Sequence, residues 1–280
     1  MTTPAKRTGR TLAFVDLDDT LFSSVRKQDC DGADLVPAAL LRSGDVVSYS
    51  SPAQRALLRM LQTADQIIPV TARNIDAYRR VLIGFDGPAV VSHGATIMCA
   101  DGSIDPQWQV RAAPALKAAE HDLKRLLAHL QERVANSGLQ PRLVFDGELP
   151  VYLVVKHARG DAGEVATLAR TVVTDWVGQR GDYTLHLNGN NLAVIPPGVG
   201  KAAAVSFLLA RECAEHGTPF TIGAGDSLTD LEFLQLCDVA MVPGRSQLSQ
   251  ALSIVAQDLA SGVVPHAFEP PPSLAGAREN

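Results

Sequence analysis

Three carboxylates, Asp16, Asp18 and Asp19, close the apolar, β-prone run Thr11-Leu12-Ala13-Phe14-Val15. Asp16 and Asp18 are two residues apart, so a locally extended chain points both the same way. Two such charges a few ångströms apart repel by roughly 1 kcal/mol in water and about 4 kcal/mol at a protein surface. A cation or a proton between them removes that repulsion. In an open α/β sheet, the loops beyond the carboxyl ends of strands are where ligands bind. Three further groups of fitting type follow: Thr71 after a second apolar run, Lys201 at a helix start, and Asp226 with Asp230 after a third run. Phosphoryl transfer to a carboxylate needs this set. One Asp attacks phosphorus, a second protonates the leaving oxygen, and a magnesium ion bridges carboxylates and phosphate. A hydroxyl and an ammonium hold the remaining phosphate oxygens.

The elements around these residues repeat a strand, polar loop and helix pattern. Residues 66–70 read as a buried strand, and Asn74 caps a helix expected over 75–85. Ser51-Pro52 opens the helix before it, as an N-cap followed by Pro at the first helical position. The same pattern returns with a helix over 201–215, a strand at 220–224, a helix over 228–237, a strand at 238–242 and a helix over 246–258. Repeated βαβ units imply a parallel sheet. Between the two halves the texture changes. Short strands flank Ser92-His93-Gly94, a long helix is expected from Pro114 to about residue 137, and strands are expected at 142–146, 151–157, 182–187 and 191–195. Residues 86–195 thus form an inserted α+β domain, with the core in 1–85 and 196–262. Residues 263–280, with Pro270-Pro271-Pro272, are expected to be a disordered tail.

Composition removes several classes. The 280 residues carry a net charge of −5 and no Lys/Arg run, which argues against nucleic-acid binding. No stretch of about 18 apolar residues would span a membrane, and the polar first ten residues do not read as a signal peptide. The four cysteines are scattered without metal-ligand spacing, as in a reduced, cytoplasmic protein.

The motifs Asp16-Leu17-Asp18-Asp19-Thr20-Leu21, Thr71, Lys201 and Gly225-Asp226-Ser227-Leu228-Thr229-Asp230, in that order, resemble those of the haloacid dehalogenase-like superfamily. The similarity is to its phosphatases with an inserted α/β cap, such as the Cof-type, sucrose-phosphate and mannosyl-3-phosphoglycerate phosphatases. It implies a Rossmann-like three-layer core with a parallel sheet, and an Mg2+-dependent phosphomonoesterase. Asp16 would be the nucleophile that becomes aspartyl-phosphate, and Asp18 the general acid and later base. Asp16, Asp18 through its backbone carbonyl, Asp226 and Asp230 would hold the metal, and Thr71 and Lys201 the phosphoryl group. Arg73, His93, His186 and Asn188 are candidate contacts to a small phosphate ester, by analogy a sugar or polyol phosphate. Lys156, His157 and Asn190 are further polar candidates in the insertion, although Asn188-Gly189-Asn190 equally reads as a hairpin turn. Two departures stand out: Thr229 replaces a usual Asn, and Ser92-His93-Gly94 replaces a usual Asn-Gly pair.

Three other readings compete. Gly225-Asp226-Ser227-Leu228 spells the signature of GDSL serine esterases, which would need a histidine base for Ser227; downstream only His266 is available. A phosphomutase or a catalytically silent binding protein could use the same fold.

Overall fold

The computed structural model describes residues 7–28 and 30–261. The tail expected at 263–280 lies outside the described residues. Strand β1 (Arg7–Val15) leads into the acidic loop, and a hairpin of β2 (Val36–Leu40) and β3 (Val46–Ser50) follows. Helix α1 (Pro52–Leu61) starts at a capping box in which Ser51 and Gln54 exchange side-chain and backbone bonds. Next come β4 (Gln66–Pro69), α2 (Ile75–Tyr78), and the short hairpin β5 (Ala89–Val91) and β6 (Thr96–Met98). The chain continues through α3 (Pro106–Arg133), β7 (Leu139–Phe145) and β8 (Pro150–His157). Helix α4 (Ala162–Leu168) passes through a π-helical turn into α5 (Thr174–Gly178), followed by β9 (Thr184–Asn188) and β10 (Asn191–Ile195). The chain closes with α6 (Lys201–His216), β11 (Thr218–Ala224), α7 (Leu231–Leu234), β12 (Val239–Met241) and α8 (Gln247–Ala260).

Two four-stranded sheets organise the molecule. The parallel sheet has the order β12-β11-β1-β4, which brings the loops after β1, β4 and β11 to one edge. Alternation along β1 sends Leu12 and Phe14 to one face, against α3, α6 and α7, and Ala13 and Val15 to the other, beneath α1 and the β2–β3 hairpin. Burying each large side chain of this core contributes about 1.5–3 kcal/mol. The second sheet is antiparallel, in the order β7-β8-β10-β9. One of its faces packs Leu153, Val155, Leu192 and Val194 against α3 and α4. Helix α3 serves both cores: Trp108, Ala112 and Leu116 join the first, and Leu123, Leu126 and Leu130 the second. The β5–β6 hairpin is tied to the parallel sheet by a parallel bridge between Val70 and Val90. Among the described residues no helix is long and apolar enough to cross a membrane.

Three sequence expectations need correction. Helix 75–85 is a single turn, because the backbone of Arg80 and Leu82 bonds to the β2 strand instead (Leu40 N to Arg80 O 3.0 Å, Leu82 N to Ala38 O 2.8 Å). The long helix begins at Pro106 rather than Pro114, since the Asp105 carboxylate caps the N–H groups of Gln107 and Trp108, both at 3.0 Å. Pro114 is tolerated inside it because the carbonyl it leaves free belongs to Val110, on the exposed side. Helix 228–237 reduces to a 3-10 turn at Leu228–Asp230 and α7, because the Asp230 side chain folds back onto the preceding loop.

Candidate active site

Asp16 follows β1, Asp226 follows β11, and Lys201 opens α6. Their side chains meet with Asp230 in the interior. The Lys201 ammonium lies 2.7 Å from Asp16 Oδ1 and 2.6 Å from Asp230 Oδ1. Asp16, Asp226 and Asp230 each offer an oxygen within 4.8 Å of the other two, and all three are buried. Asp230 is oriented through its second oxygen, which accepts from Asp226 N (3.1 Å), Ser227 N (2.9 Å) and Ser227 Oγ (2.7 Å). That return of the side chain requires glycine at 225, where a Cβ would stand 2.6 Å from Asp230 Cβ.

One ammonium does not balance three buried carboxylates. Burial raises the Asp16 pKa well above the usual range; Lys201 opposes the shift, while Asp230 and Asp226 add to it. Asp226 is pushed up to about 7 by burial and then by Asp230 and Asp19. For Lys201, burial opposes the charge, but Asp16 and Asp230 outweigh it and hold the ammonium above its ordinary pKa.

Asp18 points elsewhere. Both its oxygens are taken by Arg73, with Nε and Nη2 each at 2.7 Å, a fork geometry that fixes orientation. The Asp18 side chain is 47% exposed, whereas the Arg73 side chain is 13% exposed and lies over the Phe22 ring. Asp18 thus contributes no carboxylate to the buried triad. Thr71 lies two residues beyond β4 and is fully buried, and its hydroxyl accepts from Arg73 N at 3.1 Å.

The turn at Ser92-His93-Gly94 clamps the α6 start. All three residues have positive φ, and a Cβ at Gly94 would collide with the Gly200 backbone. Ser92 Oγ donates to Asp146 at the end of β7, so the same turn also holds the end of the antiparallel sheet.

No family model matches the chain, and no curated protein matches it. Solved structures do. The C-terminal domain of C. albicans trehalose-6-phosphate phosphatase is 17% identical, with 93% of this chain and 80% of that one covered and a TM-score of 0.53. The sucrose-phosphatase from Synechocystis, solved with sucrose and phosphate, is 14% identical over 90% of this chain and 98% of that one, with a TM-score of 0.53. A Thermoplasma acidophilum protein is 14% identical over 87% and 89%, with a TM-score of 0.51. The chain has the haloacid dehalogenase-like fold.

The loops at the edge of the parallel sheet carry the triad, and the antiparallel sheet lines a cleft of about 650 Å³ beside it. Pairing register selects the roof residues. Arg142 stands opposite Val154, Ala193 is opposite both Val154 and His186, and Asn191 is opposite Asn188. Alternation therefore gathers Arg142, Tyr152, Lys156, His186, Asn188 and Asn191 on the cleft face. Of the candidate substrate contacts, Arg73, His186 and Asn188 line the cleft. His93 does not. It is 2% exposed, edge-on to Tyr152 and His186, and burial, followed by His186, holds its pKa well below the usual imidazole value. Gly189 and Asn190 form the turn between β9 and β10, and Asn190 accepts from His157 N at 2.7 Å. His157 is buried and binds loop N–H groups through Nδ1.

Sequence reading missed Arg142, Tyr152 and Asn191. It also left Thr229 unexplained. The Thr229 hydroxyl is 3.0 Å from His186 Nδ1, linking the triad loop to the roof. Burial, and next Lys201, bring His186 down to about 4, so the ring is neutral at pH 7. Ser227 reaches His186 only through Thr229, and its own hydroxyl donates to Asp230. Among the described residues no histidine bonds Ser227 directly, so the esterase reading lacks its base; His266 lies outside them.

Proposed function

We propose that this protein is an Mg2+-dependent phosphomonoesterase acting on a small phosphate ester in the cytoplasm, through phosphorylation of Asp16. The observation that carries the reading is the buried Asp16–Asp226–Asp230 triad with a single ammonium inserted between two of its members. Asp226 has no cation partner among the described residues. Its hard, closely grouped oxygen donors suit Mg2+. Bound there with Asp16, Asp226 and Asp230 around it, the ion would neutralise charge on the carboxylates and the phosphoryl oxygens.

The chain's own residues do the rest. Asp16 attacks phosphorus with the oxygen that Lys201 leaves free, and the ester oxygen departs with a proton from Asp18. Asp18 then takes a proton from the water that hydrolyses the aspartyl-phosphate. An anionic substrate that competes for Arg73 would release the Asp18 carboxylate from the guanidinium fork and leave it free to face the ester oxygen. Lys201 and the backbone around buried Thr71 would position the phosphoryl oxygens. We assign residues 86–195 as the cap, with its antiparallel sheet excluding water over the site, and 1–85 with 196–262 as the core. The four scattered cysteines suit a reducing compartment. The phosphatase names of two structural neighbours favour a sugar or polyol phosphate, by fold analogy.

Phosphate release from p-nitrophenyl phosphate and a panel of phosphorylated metabolites tests the reading. Chelating divalent metal lowers the rate by roughly 10³-fold, and adding Mg2+ restores it. Ser227→Ala costs about fivefold, because one hydrogen bond to Asp230, worth about 1 kcal/mol, is lost. Activity indifferent to chelation and abolished in Ser227→Ala would return the esterase to the field.

A further inference from the structure

We infer that the substrate carries a second anionic group, a carboxylate or a second phosphate, held by Arg142 and Lys156 on the cleft roof. This rests on the phosphatase reading and narrows its substrate class. The cleft is lined by many charged side chains, and nearly all of them are neutralised within the protein. Lys201 pairs with Asp16, Arg73 with Asp18, and Lys27 with Asp19 at 2.5 Å. At the rim, Arg42 and Arg80 share Asp76. Among the described residues, three charged groups of the lining are in no ion pair: Asp226, which the metal reading accounts for, and the two cations Arg142 and Lys156. Neither cation has an ion pair or a side-chain hydrogen bond among the described residues.

The leftover cations are neighbours. Arg142 is opposite Val154, and Gln140 opposite Lys156, so alternation puts Arg142 and Lys156 on one face of adjacent strands. Their proximity shows in the charge balance. Desolvation lowers the Lys156 pKa first, Arg142 and Arg73 add to the shift, and Asp18 opposes it. Lys156 therefore sits within electrostatic reach of the floor where Asp18 meets the leaving group. Two unpaired cations crowded on an otherwise neutral face of Tyr152, His186, Asn188 and Asn191 form a receptor for an anion. The guanidinium fork suits carboxylate or phosphate oxygens, and the lysine adds a point charge. A neutral sugar as leaving group would leave both charges unanswered.

The test uses probes that differ only in the second anion, read as inhibition constants against p-nitrophenyl phosphate hydrolysis. 3-Phosphoglycerate is compared with glycerol 3-phosphate, and fructose 1,6-bisphosphate with fructose 6-phosphate. Wild type should bind the more anionic member of at least one pair about tenfold or more tightly, the scale of a hydrogen bond to a charged group. Preference in the first pair alone identifies a carboxylate site, and in the second alone a phosphate site. Arg142→Gln with Lys156→Gln should bring the ratio close to one, whereas Arg142→Lys with Lys156→Arg keeps most of it. Both probes are measured on the same enzyme, so partial misfolding cancels. Equal or absent inhibition within both pairs, or a ratio unchanged in the Gln double variant, overturns the inference while the phosphatase stands. Wild type that fails to hydrolyse p-nitrophenyl phosphate overturns the phosphatase reading, and this inference with it.

Discussion

Asp16→Asn removes turnover by roughly 10³-fold or more while the protein stays folded. The amide has the shape of the carboxylate but lacks its nucleophilic oxygen, so the covalent step has no substitute. The fold survives because Asp16 is a strained charge. Burial and its two carboxylate neighbours push its pKa up, which means that the ionised form is disfavoured in the folded state. Lys201 keeps Asp230 as a partner at 2.6 Å. The melting temperature should accordingly be unchanged or higher in metal-free buffer, with phosphate release at background. A variant that retains turnover would remove Asp16 from the chemistry; one that melts far lower would show that the triad is held together for stability.

Lys201→Met has the opposite signature. It takes the only ammonium out of a buried set of three carboxylates, and removing one partner of a buried ion pair costs about 3–5 kcal/mol. The expected result is a large fall in unfolding free energy in chelated buffer together with loss of activity. The pH dependence follows from the sign of the Asp226 shift. Its folded-state pKa of about 7 lies above the usual 3.8, so the folded protein holds a proton that the unfolded chain releases between those values. Stability from this group is highest at low pH and falls as pH rises towards 7. The Met variant should therefore be least stable relative to wild type near pH 8 and closer to it near pH 5.5. Mg2+ should raise the melting temperature of both more at the higher pH. Denaturant titrations at the two pH values, with and without Mg2+, measure this. A variant as stable as wild type at pH 8 would mean that the carboxylates are not ionised together.

Asp16 and Asp226 were legible because each follows an apolar run whose end is marked by a change to polar residues, and Asp230 because it closes the same polar loop as Asp226. Asp16 and Asp226 need only the parallel-sheet rule to be brought to one edge, and Lys201 reaches them from the start of α6. Sequence could not show that Asp18 turns away to Arg73, since alternation predicts the same side as Asp16 and the loop turns left-handed at Asp19. Which residues share the roof face was hidden for a different reason. Strand β8 is nearly continuous in apolar residues, so period-two alternation does not distinguish its faces, and only pairing with β7 and β10 selects Tyr152 and Lys156. Asn191, rather than Asn190, shares the face of Asn188 because a two-residue turn separates the strands. The single turn of α2 depended on hydrogen bonds to β2, some 40 residues earlier in the chain. In each case the missing information was a long-range partner.

The proposed reaction passes through a phosphoryl group on Asp16. Wild type mixed with Mg2+ and p-nitrophenyl phosphate, quenched in acid within milliseconds and analysed by peptide mass, tests it directly. A phosphoryl increment is expected on the peptide carrying Asp16, absent in Asp16→Asn and absent when divalent metal is chelated. Rapid turnover with the increment on another residue, or with a pre-steady-state burst and no increment on Asp16, would contradict it.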